Sequence, residues 1–413
     1  MNRHGFYYQG FLNLTGILGF LALASSLVPK ECLKVYKYCS MIISFQFNDV
    51  YWGSITFLIL LMMCVNSFLL RRWKRSVYER KKKDIANVTY TGKNNYLQIF
   101  NILSLLMCFI VISYMIIYKI HDFFVESWIS VIFIEYILKI ASFNSVLSNL
   151  EKADKRGKET ELKADEKDCE IFYYLNSKGT LDFKHFLYFL IIPDLIYSDK
   201  FIMKKSRNRR NILFCVSKLI VTTLVFIFVK NQFALPLLRE LTATNNMIKL
   251  IKLYGYFVLS ICVSWILLFY SYFNCYLKIF SELCKVNDLK IYGPWWNSTN
   301  LAHFWREWNH IFHKWMVKTI YKPLLMRKYS KFTAKLICFF VSGSLHEYAF
   351  FLVCKKFGGW MLFAFIMQVP SIYISVKIDK IFPKIGNFLF WIVFCVFGQP
   401  ICVLLYYKIY ISE

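Results

Sequence analysis

His346 and Glu347 sit side by side inside an apolar run that extends from Leu336 to Cys354. The run is long enough to cross a bilayer, which takes about 20 apolar residues. An ionisable side chain near the bilayer midplane costs on the order of 3 kcal/mol, so it is retained where it faces a polar cavity or does chemistry. An imidazole, with an ordinary pKa of about 6.5, suits removal of a proton from an alcohol at neutral pH. On a helix, Ser342 and Gly343 share the face of His346 one turn earlier, and small residues there allow a helix or a substrate to approach closely. Glu347 is rotated by about 100° and is not expected to hydrogen-bond His346. A buried histidine satisfied by a neighbouring hydroxyl or carbonyl is the plainer alternative. Ser342 and Ser344 are candidate nucleophiles only in principle, because no strand–turn–helix elbow surrounds them.

Metal chemistry finds no support. The chain has 7 histidines. His4, His121 and His185 are scattered, and His303, His310 and His313 form neither an HExxH motif nor a multi-histidine box. No metal and no bound cofactor are expected, and no P-loop or GxGxxG pattern is present.

The second concentration of chemistry lies earlier, between Ile291 and Trp315. It reads Ile291-Tyr-Gly-Pro-Trp-Trp-Asn297 and then Phe304-Trp-Arg-Glu-Trp-Asn-His-Ile-Phe-His-Lys-Trp315. Trp295, Trp296, Trp305, Trp308 and Trp315 are among only 11 tryptophans in the chain. Gly293-Pro294 marks a turn. From Phe304 the spacing predicts one helix, with Trp305, Trp308, Phe312 and Trp315 along a face and Arg306, Asn309 and His313 along its edge. An interfacial helix accounts for the indoles. It accounts less well for a guanidinium, an amide and an imidazole in one strip, which suits the mouth of a polar tunnel that meets phosphates or a carbonyl.

The elements that must position these groups are apolar helices. The 413 residues are 57% hydrophobic and only 18% charged, beyond the usual range for soluble domains. Hydropathy predicts an all-α, polytopic helical membrane protein of about nine spans, near 8–28, 51–70, 97–118, 122–142, 211–230, 249–280, 333–354, 358–377 and 386–408. The segment 8–28 reads as a retained first span without a cleavage site. Polar loops are expected at 71–96, 142–210 and 281–332, within one membrane-embedded domain covering 1–413. Phe183–Pro193 is too short to span and reads as an amphipathic interfacial helix.

The net charge of +26 lies between the apolar runs, above all in Arg71–Lys83. That pattern fits the positive-inside rule and contact with anionic lipid, and no nucleic-acid partner is expected. The three loops are basic, whereas the 231–247 connection carries almost no charge. The N-terminus and loops are therefore expected in the cytosol and the C-terminus in the lumen. The 13 cysteines include no C-x-x-C pair and read as free thiols. Sequons at Asn87 and Asn297 fall on the expected cytosolic side and are discounted.

Three ordered motifs resemble the membrane-bound O-acyltransferases, in the branch that esterifies diacylglycerol or sterols. Ile291–Asn297 resembles the family's F-Y-x-D-W-W-N, with Ile291 and Pro294 in place of Phe and Asp. Phe304–Trp315 resembles F-W-x-x-W-N-x-P-x-H-x-W, with Ile311 in place of Pro. His346-Glu347 matches the His-Glu pair of an apolar helix. Tyr321-Lys-Pro-Leu324, Met367-Gln-Val-Pro370 and Gly398-Gln-Pro-Ile401 are most like the diacylglycerol acyltransferase group.

The resemblance implies an endoplasmic reticulum enzyme that transfers an acyl group from a fatty acyl-CoA to diacylglycerol, or alternatively to a sterol. His346 would be the general base, with Asn309 and Glu347 as further catalytic residues. Tyr292, Trp295, Trp296, Asn297, Trp305, Arg306, Trp308, His313, Tyr321 and Lys335 would bind acyl-CoA, and Gln368 and Gln399 the acceptor. Acyl-CoA is a substrate, so no cofactor is implied, and a homo-oligomer is left open. A transporter with His346 on a proton or solute path is the competing class, although related halves with broken helices are not evident.

Overall fold

A computed structural model of the protein describes residues 13–19, 47–84, 95–154, 169–173, 181–198, 200–287, 289–382 and 385–411. Among them, eight helical segments are long and apolar enough to cross a membrane: Phe47–Ser76, Ile102–Lys119, Val125–Ser148, Arg209–Ala243, Met247–Leu283, Lys331–Cys354, Trp360–Ile381 and Gly386–Ile411. The expected first span, 8–28, falls largely outside the described residues, although 13–19 are helical. There, Asn13 Nδ2 donates to Asn387 Oδ1 at 2.8 Å.

Several expected loops are shorter than the hydropathy reading drew them, because helices run past the apolar core. The first described span continues as helix to Asp84 and the next begins at Asn95, so the expected 71–96 loop is helical at both ends and its middle lies outside the described residues. The third extends to Asp154. The 231–247 connection is helical as far as Ala243, because a π-helical turn at Lys230–Ala234 carries the backbone into the Leu235–Ala243 helix. Helix geometry needs no apolar environment, since each N–H is satisfied within the segment.

Successive described spans alternate in direction, so the described residues between 169 and 208 and between 285 and 330 lie at one end of the bundle, here the loop end. That end carries a two-stranded antiparallel ribbon, Cys169–Tyr173 with Lys200–Lys204. It also carries the short helix Phe183–Ile191, whose His185, Phe186, Phe189 and Leu190 are buried. The backbone carbonyls at the end of this helix are held by Lys139, whose Nζ donates to Phe189, Leu190 and Ile192 at 3.1, 2.9 and 2.6 Å. Lys139 is 0% exposed, which an ammonium tolerates only when its protons are fully partnered.

Besides a smaller cluster around Leu238, Leu253 and Phe257, two apolar cores result among the described residues. One is built from Phe68, Phe133, Phe143, Phe186 and their neighbours. The other gathers Trp295, Trp315, Phe304 and Trp391 around the tryptophan-rich loop.

Candidate active site

The tryptophan-rich segment does not form the single helix that its spacing predicts. It folds as two short helices, Leu301–Glu307 and His310–Met316, separated at Trp308-Asn309. Asn309 is extended (φ −147°, ψ 92°), and its Oδ1 accepts from Phe312 N at 3.0 Å. An asparagine side chain competes for backbone N–H groups in this way and starts helices better than it continues them. The preceding chain seals the break. Gly293 N donates to Glu307 O at 2.8 Å, and His310 N donates to Ile291 O at 2.9 Å. A Cβ on Gly293 would meet Glu307 Oε2, the end of a flexible side chain that a larger residue here would have to displace.

Two cavities meet at this loop. The first, of about 550 Å³, runs along the Lys331–Cys354 helix past Lys335, Cys338, Ser342, His346 and Ala349, which recur on one face. Arg306, Asn309, His313 and Tyr321 line its opposite wall. The second, of about 590 Å³, lies between the Trp360–Ile381 helix and the C-terminal segment, with Gln368 and Gln399 on its walls. Ile374, Leu389 and Val393 line it and are also exposed on the apolar outer surface. Trp305, Trp308 and His346 belong to both cavities.

The histidine is fixed in orientation. Its Nδ1 is 2.8 Å from the Ser342 carbonyl oxygen, which can only accept, so Nδ1 carries the proton and Nε2 keeps a lone pair. Its ring stacks on Phe365 at 4.4 Å between centroids. Gly343 permits this contact: a Cβ there would sit 2.8 Å from Phe365 Cβ. Trp305 supports the same wall, donating from Nε1 to Gln368 Oε1 at 3.3 Å. At the loop end, Arg306 is largely exposed beside Glu307. Burial, followed by His310 and Arg306, pushes the His313 imidazole below the usual histidine range.

Glu347, expected to join the chemistry, lines neither cavity. Its carboxylate is 2% exposed and accepts from the backbone N–H groups of Gly358, Gly359, Met361 and Leu362 at 3.1, 2.7, 3.1 and 3.3 Å. Tyr406 donates to it as well. This carboxylate therefore caps the Trp360–Ile381 helix, whose Gly359 N-cap has no side chain to do so (φ 75°). The approximately 100° offset from His346 along the helix is what sends the two residues of the pair to different neighbours.

Tyr292, Trp295, Trp296 and Asn297 also stand outside both linings. Tyr292 donates to Asn274 Oδ1. Trp295 is core. The Trp296 carbonyl accepts from Asn387 and Trp391, and Asn297 closes a 3₁₀ turn. The first motif is thus a scaffold that holds the second. The six residues Trp305, Arg306, Trp308, His313, Tyr321 and Lys335 do line the first cavity.

Sequence reasoning misses Glu135. It lines the first cavity and pairs with Lys139 at 3.3 Å. The signal available was a carboxylate and an ammonium one turn apart inside an apolar run. It also misses the π-helical turns at Tyr270–Tyr276, Val317–Tyr321 and Val393–Gly398, each of which contributes wall residues. Such turns are frequent at functional sites and have no reliable sequence signature. Among the described residues no group of histidine, cysteine and carboxylate side chains is placed to hold a metal ion.

Similarity to known proteins agrees with this architecture. Diacylglycerol O-acyltransferase 1 of Arabidopsis thaliana is 33% identical over 250 residues, covering 59% of this chain and 46% of that protein. Diacylglycerol O-acyltransferase 1C of Glycine max is 33% identical over 232 residues, covering 55% and 45%. Diacylglycerol O-acyltransferase 1 of Dictyostelium discoideum is 30% identical over 238 residues, covering 57% and 38%. The chain spans less than half the length of these relatives. Residues 85–407 match the MBOAT family as a whole. With most of its length matched and its helices built around His346, the chain belongs to the membrane-bound O-acyltransferase family.

Proposed function

We propose that the protein transfers an acyl group from fatty acyl-CoA to diacylglycerol, giving triacylglycerol and free CoA. The observation that carries this reading is the meeting of two separate cavities at one imidazole. A reaction between a partly water-soluble donor and a lipid acceptor needs two routes to one base. The first cavity has cationic Arg306 and Lys335 among its lining residues, which suits the phosphates of CoA. The second is bordered by residues exposed on the apolar surface, which suits entry of a lipid from the bilayer.

His346 Nε2 takes the proton of the acceptor hydroxyl as that oxygen attacks the thioester carbonyl. The carbon–sulfur bond then breaks, and the imidazolium returns its proton to the CoA sulfur. No acyl-enzyme forms. General-base assistance of this kind contributes roughly 10²–10⁴-fold. Asn309 has committed its oxygen to the helix cap, so its amide N–H₂ remains to meet the oxyanion, a contact worth about 3–4 kcal/mol in comparable sites. The enzyme lies in the endoplasmic reticulum membrane with its loop end in the cytosol, where the basic connections face acyl-CoA.

Diacylglycerol, the acceptor in the names of the relatives, is assigned to the second cavity. Thr299, Asn300, Gln368, Ser371, Ser375 and Gln399 line it. A glyceride brings two ester groups to such a wall.

The test supplies membranes containing the protein with labelled oleoyl-CoA and either diacylglycerol or cholesterol. Triacylglycerol is expected from the wild type, with a loss of about 100-fold or more in His346→Ala. Undiminished synthesis in the variant would remove His346 from the mechanism. Steryl ester without triacylglycerol would overturn the acceptor.

A further inference from the structure

Glu135 is the one carboxylate among the described residues that line the first cavity. Val131, Ile134, Glu135 and Leu138 recur at one-turn spacing, so they form a single stripe of their helix facing the void. The depth of that stripe can be read from contacts with the histidine helix, which runs antiparallel to it. Lys355 pairs with Glu126 at 3.0 Å, and the rings of Tyr348 and Phe133 lie 6.3 Å apart. Two residues further along each helix from the second pair, Glu135 comes level with His346. The cavity therefore carries a carboxylate at the depth of the candidate base, and that base has no carboxylate partner of its own.

Its surroundings make Glu135 a prepared acceptor. Lys139 lies 3.3 Å away, itself 0% exposed and held by three backbone carbonyls. The ammonium balances the carboxylate from behind while the side chain stays 28% exposed toward the void. A carboxylate so placed needs a hydrogen-bond donor in front of it when the cavity is filled. Against the methylenes of an acyl chain it would find none and would be desolvated at a cost. The donor available in an acyl-CoA at this depth is the amide of the pantetheine arm, whose nitrogen is joined to the thioester sulfur by a two-carbon link. With the thioester carbonyl beside His346, that N–H lies at the level of Glu135.

Resting on the acyl-CoA reading above, we propose that Glu135 is a positioning residue that accepts this amide N–H and so sets the thioester against His346. Lys139 holds its orientation. The Lys139–Glu135 pair also ties the cavity wall to the Phe183–Ile191 helix, whose following residues Pro193 and Leu195 line the same void.

The experiment compares donors that differ only in this amide. Purified full-length protein in phosphatidylcholine nanodiscs, with diacylglycerol as acceptor, is given oleoyl-CoA, the oleoyl thioester of N-acetylcysteamine, or oleoyl S-pentyl thioester. The last matches the second in length but lacks the amide. The wild type is expected to favour the amide-bearing short donor in kcat/KM by about ten-fold or more, as befits a hydrogen bond to a charged group. In Glu135→Ala the preference falls to near one. Glu135→Gln keeps an acceptor oxygen without the charge and retains about a three-fold preference, a rescue that a merely structural role would not show as a donor ratio. A wild-type ratio near one, or an unchanged ratio in Glu135→Ala, overturns the proposal. Absence of any ester from the wild type with oleoyl-CoA overturns instead the acyl-CoA reading on which it rests.

Discussion

At the scale of single residues, the chemistry turns on which nitrogen of His346 is free. The Ser342 carbonyl accepts a hydrogen bond from Nδ1–H, so the lone pair on Nε2 is presented without help from a carboxylate. Asn309 illustrates a residue with two duties, one per atom. Its oxygen starts the His310–Met316 helix, and the residue also lines the first cavity, where the proposed mechanism assigns its amide N–H₂ to the oxyanion. Substitution can separate these duties. Asn309→Ser keeps an N-capping oxygen, so thermal stability should change by no more than a few tenths of a kcal/mol. With the amide donor gone, kcat should fall by about 10²-fold. Asn309→Ala should lose both, with a further cost of about 1 kcal/mol in stability. Melting curves read beside kcat check the separation. Equal kcat in Asn309→Ser and wild type would leave Asn309 as a cap alone.

At the scale of elements, the His-Glu pair is a junction between two helices. His346 faces the cavities from the Lys331–Cys354 helix, while Glu347 holds the start of the Trp360–Ile381 helix through four backbone N–H groups. That second helix carries Phe365, which stacks on His346, and Gln368, which receives Trp305. Glu347 thus acts on the site through a helix. Each buried N–H left unpartnered costs about 1–3 kcal/mol. Glu347→Ala should therefore lower the melting temperature markedly, whereas His346→Ala should leave it nearly unchanged and remove activity. Tyr406→Phe, which deletes one donor to the same carboxylate, should cost about 1–2 kcal/mol. A Glu347→Ala protein with the wild-type melting temperature and no activity would assign the carboxylate to the chemistry instead. Gly343 has the same indirect importance, since any side chain there would separate the two helices at Phe365.

At the scale of the whole molecule, the alternation of spans puts Arg327 at the loop end and Lys356 at the far end, both exposed. In sealed microsomes, a membrane-impermeant maleimide should label Arg327→Cys without permeabilisation and Lys356→Cys only after it. The reverse pattern would invert the orientation. Much of this molecule is legible in its residue order. A bilayer demands long apolar helices, so most spans, the basic connections between them and the cost of an imidazole within one follow from composition and run length. The tryptophan-rich motif and His346 announce themselves for the same reason, as residues too polar or too concentrated for their setting. What residue order does not contain is direction. It cannot tell that Glu347 turns to a helix start while His346 turns to a void, because adjacent helical positions differ only by rotation and the neighbours are distant in sequence. Nor does it reveal that the first tryptophan motif is scaffold, that Asn309 breaks a helix whose periodicity continues across it, or that Glu135 comes level with His346. Those outcomes depend on which helices pack together and at what depth, and only the packed structure decides them.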